Sequence, residues 1–276
     1  MRKVVLSVVA LVGFAMPAIA ADMPMKAAKV AEPVYVSPWD IAFGTALASD
    51  YVLRGISQSD RKAGVSGYVE PRFNINPNLQ LYAGIAGYSL WTGFADAEYD
   101  IYGGIRPTFG AFAFDFGFTY YKYPGINPLL IPVGESNGDF GEVYAKVAWT
   151  VNDWLTLGAN GVYSNNFANF GDSYFWVSGT AKATLPWSIF AGQGTYISGE
   201  IGYQGYENTL ALAFATDTTF WNAGIGFTYK AATLDFRYSD TSLSKAECFA
   251  MVGGTNYCGT TGIVKLSFDT TLSAIK

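Results

Sequence analysis

Glu98 and Asp100 stand one residue apart in Glu98-Tyr-Asp-Ile-Tyr-Gly-Gly104, a spacing that sets both carboxylates on one face if the segment is a strand. Such a pair can serve as general acid and base, although neighbours on one strand face more often form a hydrated wall. The 276 residues include no histidine. That removes the Ser-His-Asp, Cys-His and Asp-His arrangements of the common hydrolases. No enzyme activity, cofactor or metal is therefore expected. Cys248 and Cys258 are the only cysteines. In an exported chain they read as a disulfide closing a small loop, since two thiols without histidine make a poor metal site.

Export is indicated by Met1 to Ala20, where Arg2 and Lys3 precede an apolar run and Ala18-Ile19-Ala20 supplies a cleavage site. Removing this signal peptide takes the net charge from −5 to −7, which makes nucleic acid an unsuitable partner. Residues 21–38, with Pro24, Pro33 and Pro38, read as an extended leader. The remaining residues 39–276 are expected to form one domain. Half the residues are hydrophobic and 14% are charged, yet no apolar run after the signal peptide is long enough for a membrane helix.

Alternation supplies the elements. Around the carboxylate pair, Glu98, Asp100, Tyr102, Gly104, Arg106 and Thr108 alternate with Tyr99, Ile101, Gly103, Ile105, Pro107 and Phe109. After Gly110 and Ala111, Phe112, Phe114, Phe116, Phe118 and Tyr120 alternate with smaller or polar residues. A period of two is a strand signal. Applied from Trp39 onward, the same test predicts twelve strands. Their connections fall near residues 50–63, 75–78, 91–96, 110–111, 124–138, 152–153, 165–172, 186–194, 205–219, 231–232 and 241–261. Long and short connections alternate, with 186–194 as an exception on the short side.

This pattern predicts an all-β fold, an antiparallel up-and-down transmembrane β-barrel. It fits a bacterial outer membrane, with termini and short turns periplasmic and long loops extracellular. Trp39, Phe73, Trp91, Phe109, Tyr123, Trp149, Trp154 and Trp187 stand at strand ends, where interfacial girdles belong. The apolar faces then meet outer-membrane lipid, and the opposite faces line a lumen.

The expected lumen face carries Glu70, Arg72, Glu98, Asp100, Arg106, Asp115, Glu142, Lys146, Lys182, Glu200, Asp235, Arg237, Lys265 and Asp269, eight acids against six bases. Mixed charge suits a narrow wet channel for passive diffusion of small hydrophilic solutes or ions, and the near balance argues against strong ion selectivity. The alternative is a closed structural or surface-interaction barrel whose charges pair across the lumen. A homo-oligomer is compatible with either reading.

The stretch Ser49-Asp-Tyr-Val-Leu-Arg-Gly-Ile-Ser-Gln-Ser-Asp60 resembles the opening motif of the TorF-type porin family, the Gcw-type conserved hypothetical outer-membrane proteins. The similarity continues through Glu98 to Gly104, Phe118 to Gly125, Gly141 to Tyr144, Tyr238 to Thr241 and the cysteine pair. The leader from Ala21 is similar to those of alphaproteobacterial outer-membrane proteins. Leu53 departs from the family's frequent Phe, and the chain ends in Leu272-Ser-Ala-Ile-Lys276 without a terminal aromatic, Phe268 being the nearest. The resemblance implies an outer-membrane barrel with a transport role and no catalytic residues. Within the loop motif Asp50, Tyr51, Arg54 and Gly55, Arg54 has two readings. It folds inward to a constriction with Asp50 or Asp60, or it fixes the loop through backbone carbonyls, for which its planar fork is suited. The second is favoured.

Overall fold

Alternating side chains give each strand one apolar and one polar face, and the only way to leave no unpaired edge between such strands is to close them on themselves. The computed structural model describes residues 38–91, 93–127, 129, 137–207 and 215–275. The expected signal peptide, and the leader up to residue 37, lie outside the described residues. Twelve strands form a closed antiparallel barrel. They are β1 (Trp39–Ala48), β4 (Gly64–Asn76), β5 (Leu79–Ser89), β6 (Ala97–Phe109), β7 (Phe112–Lys122), β8 (Phe140–Thr150), β9 (Leu155–Ser164), β10 (Tyr174–Leu185), β11 (Gln193–Tyr206), β12 (Thr218–Tyr229), β13 (Ala232–Thr241) and β14 (Thr261–Thr271). Each strand pairs with its neighbours in the chain, and the seam closes where β1 pairs with β14, from Ala42 opposite Thr271 to Ala48 opposite Lys265.

Two further strands, β2 (Val52–Leu53) and β3 (Ile56–Ser57), make a small hairpin inside the first long loop. The last long loop carries a helix, α1 (Lys245–Val252), which starts at a capping box between Ser244 and Glu247 and stops at Gly253 in the left-handed conformation. A short helix, α2 (Leu272–Ile275), follows β14. Neither hairpin nor α1 has the alternation by which the barrel strands were predicted. The exceptional connection narrows to 186–192, since β11 begins at Gln193, and the last strand runs past Phe268 to Thr271.

Tight turns occupy one end of the barrel. The long connections, among them 49–63 and 242–260, occupy the other. No helix among the described residues is long and apolar enough to cross a membrane. The outward face carries the apolar load instead. Ile85, Ile101, Ile105, Phe116, Phe118, Val143, Val177, Ile197 and Ile201 are all exposed. A belt of this kind around a closed barrel is the lipid-facing surface of a membrane-spanning protein. Trp39, Phe109, Trp149, Trp154 and Trp187 are exposed toward the turn end and Trp91 at the loop end, while Phe73 packs on Trp39 with ring centroids 4.7 Å apart. Tyr123 departs from the expected girdle. The chain beyond Lys122 bends over the mouth, where Asp139 accepts the Tyr123 backbone N–H at 3.0 Å and the ring packs on Phe94 and Phe140.

Ile85 lies at the centre of β5 and faces outward. Ile85→Lys is expected to cost roughly 2–4 kcal/mol of folding stability in lipid. Asn160→Lys, on the inner face of β9, is expected to cost far less. Denaturant titrations in lipid vesicles compare them, and equal losses would contradict the inside-out assignment.

Candidate functional site

The hairpin of the first loop folds into the loop end of the lumen instead of standing outside it. Its two-residue tip, Arg54 and Gly55, has φ of 50° and 78°, the positive values that mirror-image hairpin turns require. Gly55 is also needed for space, because a Cβ there would lie 2.6 Å from the Asp240 carbonyl oxygen at the end of β13. The tip thus rests against one wall while the Arg54 side chain crosses to the others. Its Nη2 donates to Glu142 Oε1 on β8 at 3.1 Å, and Nη1 donates to Gln204 Oε1 on β11 at 3.0 Å and to the Tyr174 hydroxyl on β10 at 3.3 Å. The guanidinium also stacks 4.7 Å from the Trp176 ring. These strands lie across the barrel from β1 and β4, between which the loop emerges. The hairpin is therefore a strap over the mouth.

Tyr51 secures a second wall, donating to Glu98 Oε1 on β6 at 2.8 Å and stacking on Tyr88 with centroids 5.2 Å apart. Burial first, and then the negative charge of Glu98, push the Tyr51 phenol well above its ordinary range. It remains a hydrogen-bond donor throughout the physiological pH range. Glu142 is held from the wall as well, since Tyr121 donates to its Oε2 at 2.7 Å.

Both expectations for Arg54 need correction in their partners. It does fold inward, but to Glu142, Gln204 and Tyr174. Asp50 is occupied by Ser57, whose hydroxyl donates to it at 2.6 Å, and Asp60 pairs with Lys62 at 2.7 Å. Carbonyls are instead gripped by Arg61, which sequence reasoning missed. Its Nε, Nη1 and Nη2 donate to the carbonyls of Asn256, Thr260 and Cys258 at 2.6, 3.0 and 3.1 Å. Cys248 and Cys258 are joined in a disulfide. Cys258 bridges Ile56 of β3, and both cysteines form a small buried cluster with Ile56 and Leu243. The disulfide loop is thus the outer brace of the strap. A signal for Arg61 exists only in retrospect, in the density of Ser, Asp and basic residues around it.

The fourteen charged residues expected on the lumen all sit at inward positions of the strands, but they divide by height and by wall. On β4 to β8 a dry network binds Glu70 to Arg72 at 2.5 Å and to Arg106 at 2.8 Å, and Arg106 to Asp115 at 3.2 Å. The Arg106 guanidinium lies 3.5 Å from the Tyr82 ring centre, and Tyr82 links Asp115 to Tyr144 through its hydroxyl. On β10 to β13, Arg237 holds Asp235 at 3.1 Å, Asn222 at 2.6 Å and Ser198 at 3.0 Å, while Asn222 donates to Glu200 at 3.2 Å. Lys182 lies over Tyr196 and Lys146 over Tyr144. Glu70, Arg72, Arg106 and Asp115 are buried; Lys146, Lys182, Glu200, Arg237, Lys265 and Asp269 are half-buried. Inward side chains on the β8 to β14 side are on the whole less deeply buried than those on β4 to β7, although Glu142 and Asp235 are buried there too. Glu98 is committed to Tyr51 and Asp100 is fully buried, so the pair that opened the sequence reading has no access to a water nucleophile with the strap seated. Among the described residues no group of three acidic or cysteine side chains is arranged to hold a metal ion.

A family model described as "Bacterial protein of unknown function (Gcw_chp)" matches residues 31–268. No curated protein matches the chain. Among solved structures the chain is similar to the KdgM porin, at 10% identity over 83% of this chain and 98% of that one, with a TM-score of 0.47. It is similar to the COG4313 outer membrane channel from Pseudomonas putida F1, at 9% identity over 86% and 97%, with a TM-score of 0.49. It is also similar to LpxR from Salmonella typhimurium, at 8% identity over 83% and 99%, with a TM-score of 0.45.

Removing one partner of a buried ion pair leaves the other charge unpaired and typically costs about 3–5 kcal/mol. Arg54→Ala is thus expected to release the strap and to speed chymotryptic cleavage after Tyr51 several-fold in detergent. Arg54→Lys is expected to fall between, because an ammonium cannot reproduce the fork that serves Glu142 and Gln204 together. A wild-type cleavage rate in Arg54→Ala would show that the strap does not depend on this contact.

Proposed function

Because the chain belongs to the Gcw_chp family of bacterial proteins of unknown function, its role has to be read from its own interior, and we propose that it is an outer-membrane channel for passive diffusion of small hydrophilic solutes or ions, narrowed by the strap. The observation that carries this reading is the half-buried polar wall of β8 to β14. There Lys146, Asn160, Thr180, Lys182, Glu200, Asn222, Arg237 and Lys265 hold inward positions that are only partly buried. Polar, incompletely packed positions inside a barrel of this size form a hydrated path whose girth and charge select what passes. The assignment to the TorF-type porins rests on the Ser49 to Asp60 motif, the stretch that builds the strap. In this reading the strap narrows the extracellular mouth, the tight turns and both termini are periplasmic, and residues 1–20 are the export signal.

The closed barrel stays a second reading on one observation, the fully packed network from Glu70 to Tyr144 together with a strap that touches walls on every side. Planar-bilayer recordings of the purified chain separate the two. The channel reading predicts discrete conductance steps for the wild type and larger steps for Arg54→Ala. Steps in Arg54→Ala alone would favour a barrel closed by its strap, and silence from both would sink the channel.

A further inference from the structure

The connection at 186–192 is the exception among the short turns, and it folds back over the outer face of the barrel. On β11 the odd-numbered residues point outward, and Ile197 and Ile201 are 46% and 61% exposed, as lipid-facing positions should be. Gln193 and Thr195 hold the same face near the turn end, opposite Tyr229 and Phe227 of β12, yet they are only 8% and 1% exposed. The connection covers them. Trp187 packs on Phe227 with ring centroids 6.1 Å apart, and Phe190 packs on Tyr229 at 5.2 Å.

Two polar side chains at lipid-facing positions are costly unless something pairs with them. Here the connection does so. The Ile189 backbone N–H donates to Gln193 Oε1 at 2.6 Å, and the Gln193 side-chain amide donates to Thr195 Oγ1 at 2.7 Å. The Gln193 backbone N–H donates to the Phe190 carbonyl at 3.2 Å, and Gly192, with φ of 81°, lets the chain reverse there. Hydrogen bonds thus fix the fold-back and leave the apolar side chains open on their outer side, with Trp187, Ile189 and Phe190 being 46%, 71% and 52% exposed. Lys230, in the neighbouring turn between β12 and β13, is exposed as well and holds its ammonium 5.5 Å from the Tyr229 ring, the ring on which Phe190 packs.

We propose that residues 186–192 form an anchor that binds phospholipid at the turn end of the barrel, with Trp187, Ile189 and Phe190 entering the glycerol and upper acyl region of that leaflet and Lys230 pairing with a lipid phosphate. The patch is continuous with the lipid-facing belt, since Phe227 also packs on the exposed Phe236 with centroids 6.4 Å apart. Along β12 toward the turn the outward residues run Ile225, Phe227, Tyr229 and then Lys230, the order of a bilayer from acyl chain through aromatic interface to headgroup. A covering protein or a second copy of the chain would have no use for that order. Irregular backbone is tolerated at this depth because it lies at the interface and not in the hydrocarbon core. The anchor is independent of whether the lumen conducts.

Fluorescence quenching of the full chain in vesicles of phosphatidylcholine and phosphatidylglycerol tests the proposal. Cys248 and Cys258 are joined to each other, so Ile189→Cys supplies a single thiol for an environment-sensitive dye. Asp153→Cys, exposed in the turn between β8 and β9 at the same end, is the reference. Chain-brominated phosphatidylcholine is expected to quench the dye at 189 several-fold more strongly than the dye at 153, and aqueous iodide is expected to give the reverse order. Equal iodide quenching at the two positions would place the connection in water and overturn the anchor. Shielding of 189 from both quenchers would mean that protein covers it, and would overturn the anchor too. Should Ile189→Cys fail to insert, Ser188→Cys, also exposed, carries the dye to the same connection. Lys230→Gln is expected to weaken phosphatidylglycerol binding to the purified chain about fivefold by native mass spectrometry, the equivalent of about 1 kcal/mol for one lysine at an anionic surface. Binding equal to wild type would contradict the phosphate contact.

Discussion

The contact on which the interior depends is the one between Arg54 and Glu142, at 3.1 Å and almost wholly out of water. It joins residues 88 positions apart in sequence, and it is the point at which a loop becomes part of a lumen. A lysine in its place would offer one charge and no fork. The guanidinium instead serves a carboxylate, an amide oxygen and a phenol on three different strands while its face rests on Trp176. Because both charges are desolvated, the pair is worth little if both members are absent and much if only one is. That asymmetry makes it a latch: it specifies where the strap sits more than it adds to total stability.

Everything beneath the latch follows from closing twelve strands around a space too small for bulk water on all sides. On β4 to β8 the charges are locked to one another, as a dry interior requires. On the opposite wall the same residue types are left half-buried. Rings pack over glycines on both walls. Inward tyrosines lie over inward glycines of the next strand, so that a Cβ at Gly84 would lie 2.5 Å from the Tyr102 ring and one at Gly117 2.4 Å from the Tyr144 hydroxyl. The far wall has fits of the same kind, Gly226 under Tyr196 and Gly202 under Phe220, and its charged side chains Lys146, Lys182 and Glu200 are nonetheless only partly buried.

The barrel was legible in the sequence because each strand repeats its signal locally. The run from Phe112 to Tyr120 announces its two faces without help from any other segment, and the contrast between Gly110-Ala111 and the long loops announces which end is which. The strap was not legible. Val52 to Ser57 is too short to show a period, and Arg54 finds its partners only after the barrel has closed. From sequence, the nearest acids, Asp50 and Asp60, were the natural candidates, but Ser57 and Lys62 engage them first. Arg61 was missed for the same reason, since the carbonyls it grips belong to a loop some 195 residues away. The inner position of Asp100 could be read from alternation, but the lack of a hydrogen-bond partner for its carboxylate could not, because that depends on what the neighbouring strands fail to supply.

A double-mutant cycle on Arg54 and Glu142, using Arg54→Ala, Glu142→Ala and the pair, measures the latch without assuming a transport assay. Unfolding in lipid vesicles should give a coupling of about 0.5–3 kcal/mol, the range of contacting residues in one buried network. The double variant should lose less stability than the two single losses summed. Additive losses, with a coupling indistinguishable from zero, would mean that the strap is not held across the lumen by this pair.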